Sequence, residues 1–194
     1  MHRYCKFVIL ISLTAGGFVS LYASGILFSK ENIAVTVLTP SKIEIRGEYF
    51  FTSQDSCVAH STLYYPFPID SSSLYPCSIS VKRMKENATL PFSHDDRGIF
   101  FSVEIHPDDT TGILIIYHQQ VKKQSGTYIL TTTSAWGNPL HNSSYSVCIP
   151  QTLNLDFLSY ECDSVQVSDK KIIYSFFKKK FIPDRDLNFR WSVK

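Results

Sequence analysis

The sequence predicts an all-β protein, a single antiparallel β-sandwich of immunoglobulin-like type preceded by an N-terminal hydrophobic leader helix. Short segments rich in Ile, Val, Tyr, Phe and Thr follow one another, separated by clusters of Gly, Pro, Asp and Ser. About nine or ten such segments, with turn signals roughly every 8–15 residues, are typical of a sandwich or barrel. After the leader, no stretch has the apolar period of about 3.6 residues that indicates a helix.

The clearest strand prediction covers residues 42–51, "KIEIRGEYFF", in which apolar and charged side chains alternate. This period of two indicates a strand with one face in the core, and the core face carries Ile43, Ile45, Tyr49 and Phe51. Enrichment in β-branched and aromatic residues predicts further strands. They cover residues 33–38, 58–65, 77–82, 99–105, 113–119, 127–135, 145–149, 172–177 and 187–193.

The N-terminal segment predicts export by one of two routes. A positively charged start precedes residues 7–29, which carry no charge. As a signal peptide, this segment would be cleaved after the small residues Ala23-Ser24-Gly25. As a signal anchor, it is long enough to cross a bilayer, which takes about 20 residues. The predicted division is therefore a leader helix over 1–29 and a sandwich domain over 30–194.

Both routes place the domain outside the cytoplasm, either as a periplasmic, cell-envelope or secreted protein or as a single-pass anchored protein. Membrane contact then occurs only through residues 7–29, and only if the leader is not cleaved. The leader contains Arg3 and Lys6 and no acid, so its removal takes the formal charge from +2 to zero. A neutral body without a basic stripe predicts that nucleic acid is not a partner.

The cysteines of the exported body predict disulfides. Four remain after the leader, Cys57, Cys77, Cys148 and Cys162, and an even number in an oxidising compartment suggests two bridges. Four cysteines allow three connectivities, and all three stay open, although pairing neighbours along the chain would close two short loops. There is no C-x-x-C pair with a nearby His-x-x-x-His. The sequence therefore predicts neither a metal nor a cofactor.

Catalytic motifs do not occur in the sequence. It contains no G-x-S-x-G elbow, no H-E-x-x-H, no P-loop and no G-x-G-x-x-G. The best alternative is a hydrolase whose residues come from separated loops, with His94, Asp95, His106 and Asp108 as candidates. These residues lack a second motif that converges on them, so the sequence predicts a protein without catalytic residues.

The stretch "YILTTTSAWGNPL", residues 128–140, allows two interpretations. Polar and apolar residues occur on both faces, which favours an inner strand whose threonines pair across the sheet and which ends at the Gly-Asn-Pro turn. Alternatively, Tyr128, Thr132 and Trp136, which would share one face of that strand, form a ligand-binding surface. These three residues are the predicted binding residues.

Four motifs occur in a recognisable order: "YYPFPID", "YILTTTSAWGNPL", "SYSVCIP" and "FIPDRDLNFRW". Together they resemble a family of uncharacterised bacterial secreted or envelope proteins that are rich in β-structure. The likeness spans residues 42–193. It implies an exported β-rich domain and brings no activity, cofactor or partner with it; the four body cysteines are not part of the pattern.

These observations together predict an exported, non-enzymatic interaction or envelope-structural protein whose partner is an unknown protein or envelope component. Sandwiches bind partners through loops and edges more often than they carry out buried chemistry. Two alternatives stay open. One is the hydrolase described above, and the other is a carrier of a small ligand or lipid, which needs an apolar cavity above about 300 Å³.

Overall fold

The computed structural model describes residues 25–168 and 170–194 and the backbone of residues 5–8. Within these ranges the chain forms strands and one short 3₁₀ helix, Thr131–Trp136. The strands are β1 (Cys5–Val8), β2 (Ile26–Thr39), β3 (Lys42–Ser53), β4 (Ala59–Pro66), β5 (Ser78–Arg83), β6 (Ala88–Thr89), β7 (Phe92–His94), β8 (Gly98–Ile105), β9 (Thr110–Gln120), β10 (Ser125–Tyr128), β11 (Leu140–Pro150), β12 (Leu153–Leu158), β13 (Ser164–Ser168), β14 (Lys171–Phe181) and β15 (Leu187–Val193). The all-β prediction is confirmed.

The strands form three sheets. The largest has eight strands in the order β13-β14-β11-β2-β3-β9-β5-β6. A second sheet has the order β1-β4-β8-β7, and a third has the order β10-β15-β12. Buried residues of all three sheets belong to one hydrophobic cluster, so the sheets share a core.

Period-two patterning explains how the central strands bury one face. Ile43 and Ile45 of β3 are fully buried, as are Ile113 and Ile115 of β9, while the residues between them are partly exposed. Alternation puts every second side chain on the same side of a strand. The strand over residues 42–51 was therefore predicted on the correct face.

The large sheet is mixed and not purely antiparallel. β2 and β11 run parallel, with Tyr145 opposite Ile33, and β1 pairs in parallel with β4. A parallel pair needs a long crossover, which the segment between β2 and β11 supplies. The predicted antiparallel topology is wrong at these two pairs. The immunoglobulin-like part of the prediction is not confirmed: the large sheet has eight strands, more than either sheet of an immunoglobulin domain.

The leader-helix prediction falls mostly on residues 9–24, which lie outside the described residues. Residues 26–29, its last part, belong to β2, so the predicted boundary at residue 30 falls inside a strand. Residues 5–8 form β1. No helix in the described part of the chain is both long and apolar enough to span a membrane.

The predicted disulfides are absent from this structure. Cys57, Cys77, Cys148 and Cys162 are free, and no pair of them lies at disulfide distance. Strand pairing explains why neighbours along the chain do not meet. Cys148 of β11 is paired with Thr36 of β2 on one side and with Ile173 of β14 on the other, and neither pairing partner is a cysteine.

The strand predicted over residues 127–135 is wrong. β10 ends at Tyr128, and the threonines belong to the 3₁₀ helix. The Asp186 carboxylate accepts bonds from the backbone N–H groups of Leu130 and Thr131, at 3.0 and 2.9 Å, and from the Thr131 hydroxyl at 2.8 Å. These bonds satisfy donors at the helix start, where orphan N–H groups need a partner. Gly137 ends the helix with a left-handed φ of 71°, which favours glycine.

Replacing Asp186 with alanine should destabilise the protein by about 2 kcal/mol, because the carboxylate accepts three bonds and its loss leaves backbone donors unpaired. Chemical denaturation of the wild type and the variant measures this difference. The matched control is Asp184→Ala, since the Asp184 side chain is 72% exposed and, within the described residues, forms an ion pair only with its neighbour Arg185. We expect that control to change stability by less than about 0.5 kcal/mol. Equal effects of the two substitutions would contradict the capping role.

Candidate binding site: a tyrosine-lined pocket

A carboxylate lies in the core of the large sheet. Glu31 of β2 is only 1% exposed, and it occupies the core-facing series that continues through Ile33 and Val35. An irregularity in the pairing of β2 with β3, between Phe28 and Lys30, sets this register, and Glu31 is opposite Tyr49 of β3. A buried carboxylate is costly unless hydrogen bonds or a cation compensate it.

Tyrosine hydroxyls surround this carboxylate. The Tyr145 hydroxyl donates to Glu31 Oε1 at 2.6 Å. The Tyr49 hydroxyl lies 2.9 Å from both the Tyr65 and the Tyr128 hydroxyls. Glu31, Tyr49 and Tyr145 belong to the large sheet, Tyr65 to the sheet of β4, and Tyr128 to the sheet of β10. The polar cluster therefore connects all three sheets.

A glycine makes room for the central tyrosine. Gly47 lies two residues before Tyr49 on the same face of β3, and a Cβ at Gly47 would collide with the Tyr49 hydroxyl oxygen. The Tyr49 ring thus lies directly over the Gly47 backbone. Glycine in the middle of a strand often marks a close approach of this kind.

A pocket of about 60 Å³ lies next to the cluster. Glu31, Tyr49 and Tyr128 are among its buried lining residues, and Thr132 and Trp136 are among its partly exposed ones. The pocket is therefore lined both by partly exposed residues of the 3₁₀ helix and by the buried carboxylate. A cavity needs a volume of about 10–15 Å³ to hold one water molecule, so this pocket has room for a few waters or a very small chemical group.

Trp136 forms an aromatic wall of this pocket. Its ring centroid lies 5.6 Å from that of Phe28 and 5.5 Å from that of Phe51. Phe28 and Phe51 stack on each other across β2 and β3 with a centroid separation of 5.2 Å. Packing of this kind fixes the position of the 3₁₀ helix over the large sheet.

Burial controls the charge of Glu31. Removal from water raises its pKa from an ordinary value of 4.5 to about 7, although hydrogen bonds from the Tyr145 and Tyr128 hydroxyls oppose the rise. Among the described residues, no Lys, Arg or His forms an ion pair with Glu31. Burial also raises the pKa of Tyr49, Tyr65 and Tyr128 well above the usual range, so these phenols stay neutral.

The three predicted binding residues come together in the structure. Tyr128, Thr132 and Trp136 all line this pocket. The reason given from the sequence, alternation along one strand, is wrong, because a strand end and a 3₁₀ helix supply them. That they bind a ligand stays a prediction.

The hydrolase candidates do not come together. His94 and Asp95 lie beside the first residues of β8, and His106 and Asp108 follow its last residue. A strand of that length separates the two pairs by roughly 20 Å. His106 instead lies 3.2 Å from its neighbour Glu104. Over the described ranges, no group of three or more His, Cys, Asp and Glu side chains could hold a metal ion.

Sequence reasoning missed Glu31 and Gly47, although each left a signal. Counting back by two from Val35 through Ile33 arrives at Glu31, so the alternation itself places a charged residue in the core. In "KIEIRGEYFF" the core series has a glycine where an apolar side chain is expected. Both departures from the apolar pattern lie at the pocket.

Solved structures of other proteins share this fold. A protein from Legionella pneumophila that is proposed to bind nutrients is similar with a TM-score of 0.67 and 14% identity, and the match covers 88% of this chain and 68% of that chain. An M1 zinc metallopeptidase from Deinococcus radiodurans is similar with a TM-score of 0.54 and 9% identity, covering 88% of this chain and 43% of the peptidase. Identities this low show a shared fold and nothing more.

This chain therefore spans less than half of the peptidase. No protein-family model matches the sequence, and no curated protein matches it.

The raised pKa of Glu31 makes stability depend on pH. Between pH 4.5 and 7 the Glu31 carboxyl is protonated in the folded protein and ionised in the unfolded chain. The contribution of Glu31 to the free energy of unfolding therefore falls as pH rises through this range and is lost above the folded pKa of about 7. Relative to the Glu31→Gln variant, the free energy of unfolding of the wild type should fall by about 2–3 kcal/mol between pH 5 and pH 8. Urea denaturation of both proteins at the two pH values measures this change.

Glu48→Gln is the matched control, because Glu48 lies on the same sheet with a partly exposed side chain beside Arg46. We expect the stability difference between that variant and the wild type to change little with pH. If the Glu31→Gln difference were equally flat, the Glu31 carboxyl would not be the group that titrates near neutrality.

Proposed function

We propose that this protein is an exported, non-enzymatic binding module, and that the tyrosine-lined pocket receives a small chemical group of a protein or envelope component. One observation carries the proposal: a buried carboxylate, Glu31, lines the pocket, and no described cation neutralises it. A buried titratable group with a raised pKa that lines a concave, largely apolar site is a candidate functional group.

The pocket's chemistry favours binding over catalysis. Its polar groups are one carboxylate, phenols and threonine hydroxyls, and no histidine, cysteine or lysine lines it. A general base or nucleophile needs an activating partner within hydrogen-bond reach. The likeness to the M1 peptidase shows the fold alone, and the peptidase activity belongs to that protein.

The size of the pocket argues against the carrier alternative. A carrier that encloses a lipid or a drug-sized molecule needs a cavity of about 300 Å³ or more. The tyrosine-lined pocket has about 60 Å³. A larger groove of about 380 Å³ is lined by Arg46, Glu48 and Phe177, among others, and its polar lining is unlike that of a lipid cavity. A small group at the end of a larger partner fits the tyrosine-lined pocket better.

Export and the sandwich arrangement are also parts of this proposal. The uncharged segment over residues 7–29 supports export, and three sheets that share one hydrophobic core support a sandwich arrangement. Cleavage after Gly25 would leave the mature chain to begin at Ile26, the first residue of β2. It would also remove β1 and leave β4 as the edge of its sheet.

Blocking the pocket should abolish partner binding. Thr132→Trp places a large ring at the partly exposed lining, and proximity crosslinking in the native host compares it with the wild type. The control is Ser134→Trp, at an exposed position of the same 3₁₀ helix. We expect crosslinked partners with the wild type and the control and their loss with Thr132→Trp. Equal crosslinking of all three proteins would rule out the pocket as the binding site.

Export predicts where the mature chain begins or where it stays. N-terminal sequencing of protein recovered from the host should find a start close to Ile26, or else full-length protein that resists extraction from membranes at alkaline pH. Full-length protein in the cytosolic fraction would contradict both routes.

A further inference from the structure

We propose that the pocket binds the tip of a primary alkylammonium group, a CH₂–NH₃⁺ unit, through Glu31 and the surrounding tyrosines. This inference rests on the proposed function, because it names the chemical class that the same pocket accepts. The group could belong to a free small amine or to a lysine side chain of a partner. Charge, donor chemistry, wall composition and size each favour it.

Charge favours a cation. The Glu31 carboxylate is buried with no described cation paired to it, and an ionised carboxylate away from water is costly without one. A bound ammonium would supply the missing charge. Removing the ammonium from this ion pair leaves the Glu31 carboxylate buried without a countercharge. Binding of the cation is therefore coupled to neutralisation of the carboxylate.

The tyrosine hydroxyls favour a group with several N–H donors. The hydroxyls of Tyr49 and Tyr128 are 2.9 Å apart, and both tyrosines line the pocket together with Glu31. A hydroxyl has one donor and two acceptor lone pairs, so the Tyr49 oxygen keeps an acceptor site even though it also bonds the Tyr65 hydroxyl. A primary ammonium has three donors, enough for a carboxylate oxygen and two hydroxyl oxygens. Quaternary ammonium ions have no N–H donor and could not use these acceptors.

The aromatic walls favour a positive charge over a neutral group. Phe28, Phe51 and Trp136 line the pocket together with the tyrosines. Aromatic faces attract cations, most strongly when the site excludes water. A neutral alcohol of the same size gains neither this attraction nor the interaction with the carboxylate.

The volume limits the ligand to a few atoms. An apolar cavity of about 150 Å³ holds benzene, which has six heavy atoms. On that scale the 60 Å³ of this pocket accommodates roughly two or three heavy atoms. A CH₂–NH₃⁺ tip fits, whereas a trimethylammonium head is too large.

Binding should strengthen as pH rises through neutrality. The groups that face Glu31 are Tyr145 of β11, Tyr128 of β10, and Tyr49 and Tyr65, and all four phenols stay neutral because burial raises their pKa values. Among these five groups Glu31 is the one that changes charge between pH 6 and 8, since its pKa is about 7. If only the carboxylate form binds the cation, the apparent affinity rises about tenfold over that range.

Titration of the full chain with methylammonium, followed by NMR of the Trp136 indole, tests the proposal. We expect saturable shifts at pH 8 with a Kd on the order of 10 mM, as a ligand of two heavy atoms allows. Affinity should be about tenfold weaker at pH 6. Methanol and tetramethylammonium, the neutral and oversized controls, should produce no saturable shift.

Variants separate the pocket from the rest of the surface. Glu31→Gln should abolish methylammonium binding, and Glu48→Gln should leave it unchanged. Thr132→Trp should also abolish binding while Glu31 stays intact, so the test does not depend on one variant folding. A peptide with a single lysine and blocked termini then identifies the source. If it competes with methylammonium, a partner's lysine is the natural ligand; if only methylammonium binds, a free amine is.

Absence of saturable binding in the wild type, or equal binding by Glu31→Gln, would overturn the proposal. That failure is distinguishable from failure of the proposed function. If crosslinking is lost in Thr132→Trp but methylammonium does not bind, the pocket is a binding site for a different chemical class. If crosslinking is unaffected by Thr132→Trp, the pocket is not the partner site.

Discussion

The burial of the Glu31 carboxylate is the constraint on which the rest of the structure depends. A core position that is 1% exposed requires polar groups around it, and side chains from each of the three sheets provide them. Tyr145 donates directly to the carboxylate, and Tyr49 connects to the tyrosines of the two smaller sheets. Buried polar networks of this type demand full satisfaction, because a half-satisfied network costs more than an apolar core. The same network that compensates the carboxylate therefore also fixes how the sheets meet.

Separate parts of the sequence converge on this place. Tyr65 belongs to "YYPFPID", Tyr128 begins "YILTTTSAWGNPL", and Asp186 belongs to "FIPDRDLNFRW". Tyr65 and Tyr128 both bond the Tyr49 hydroxyl, and Asp186 holds the start of the 3₁₀ helix that carries Trp136. The first two of these segments thus line the pocket, and the third positions the helix that carries one of its walls. Their wide spacing along the chain follows from the three sheets that contribute to it.

The sequence predicted the strands that bury one face and failed where distant residues decide the structure. Residues 42–51 alternate, and β3 has the predicted face in the core because a half-buried strand requires that period. β13 was not predicted, since all its residues are exposed and no burial pattern marks it. The threonines after Tyr128 form a 3₁₀ helix because a carboxylate 55 residues further along the chain caps it. Local propensity contains no trace of that contact, and the parallel pairing of β2 with β11 is equally non-local. The three candidate binding residues line one pocket, although the strand that the spacing argument assumed is absent there. Glu31 and Gly47, which break the apolar alternation, were not predicted.

If the proposed cation binds at Glu31, burial of this carboxylate links ligand binding to the energetics of folding. An apolar side chain of similar size at this position would avoid the desolvation cost, so the carboxylate is not explained by packing. Its protonated form removes most of that cost, and a bound cation would remove it without a proton. The two ways of neutralising the carboxylate exclude each other, so the occupant and the proton compete for the same site. Any ligand that binds only the folded state stabilises it in proportion to its occupancy. In this protein the gain in stability would be largest above pH 7, where the Glu31 carboxylate is ionised and has no cation beside it unless a ligand binds.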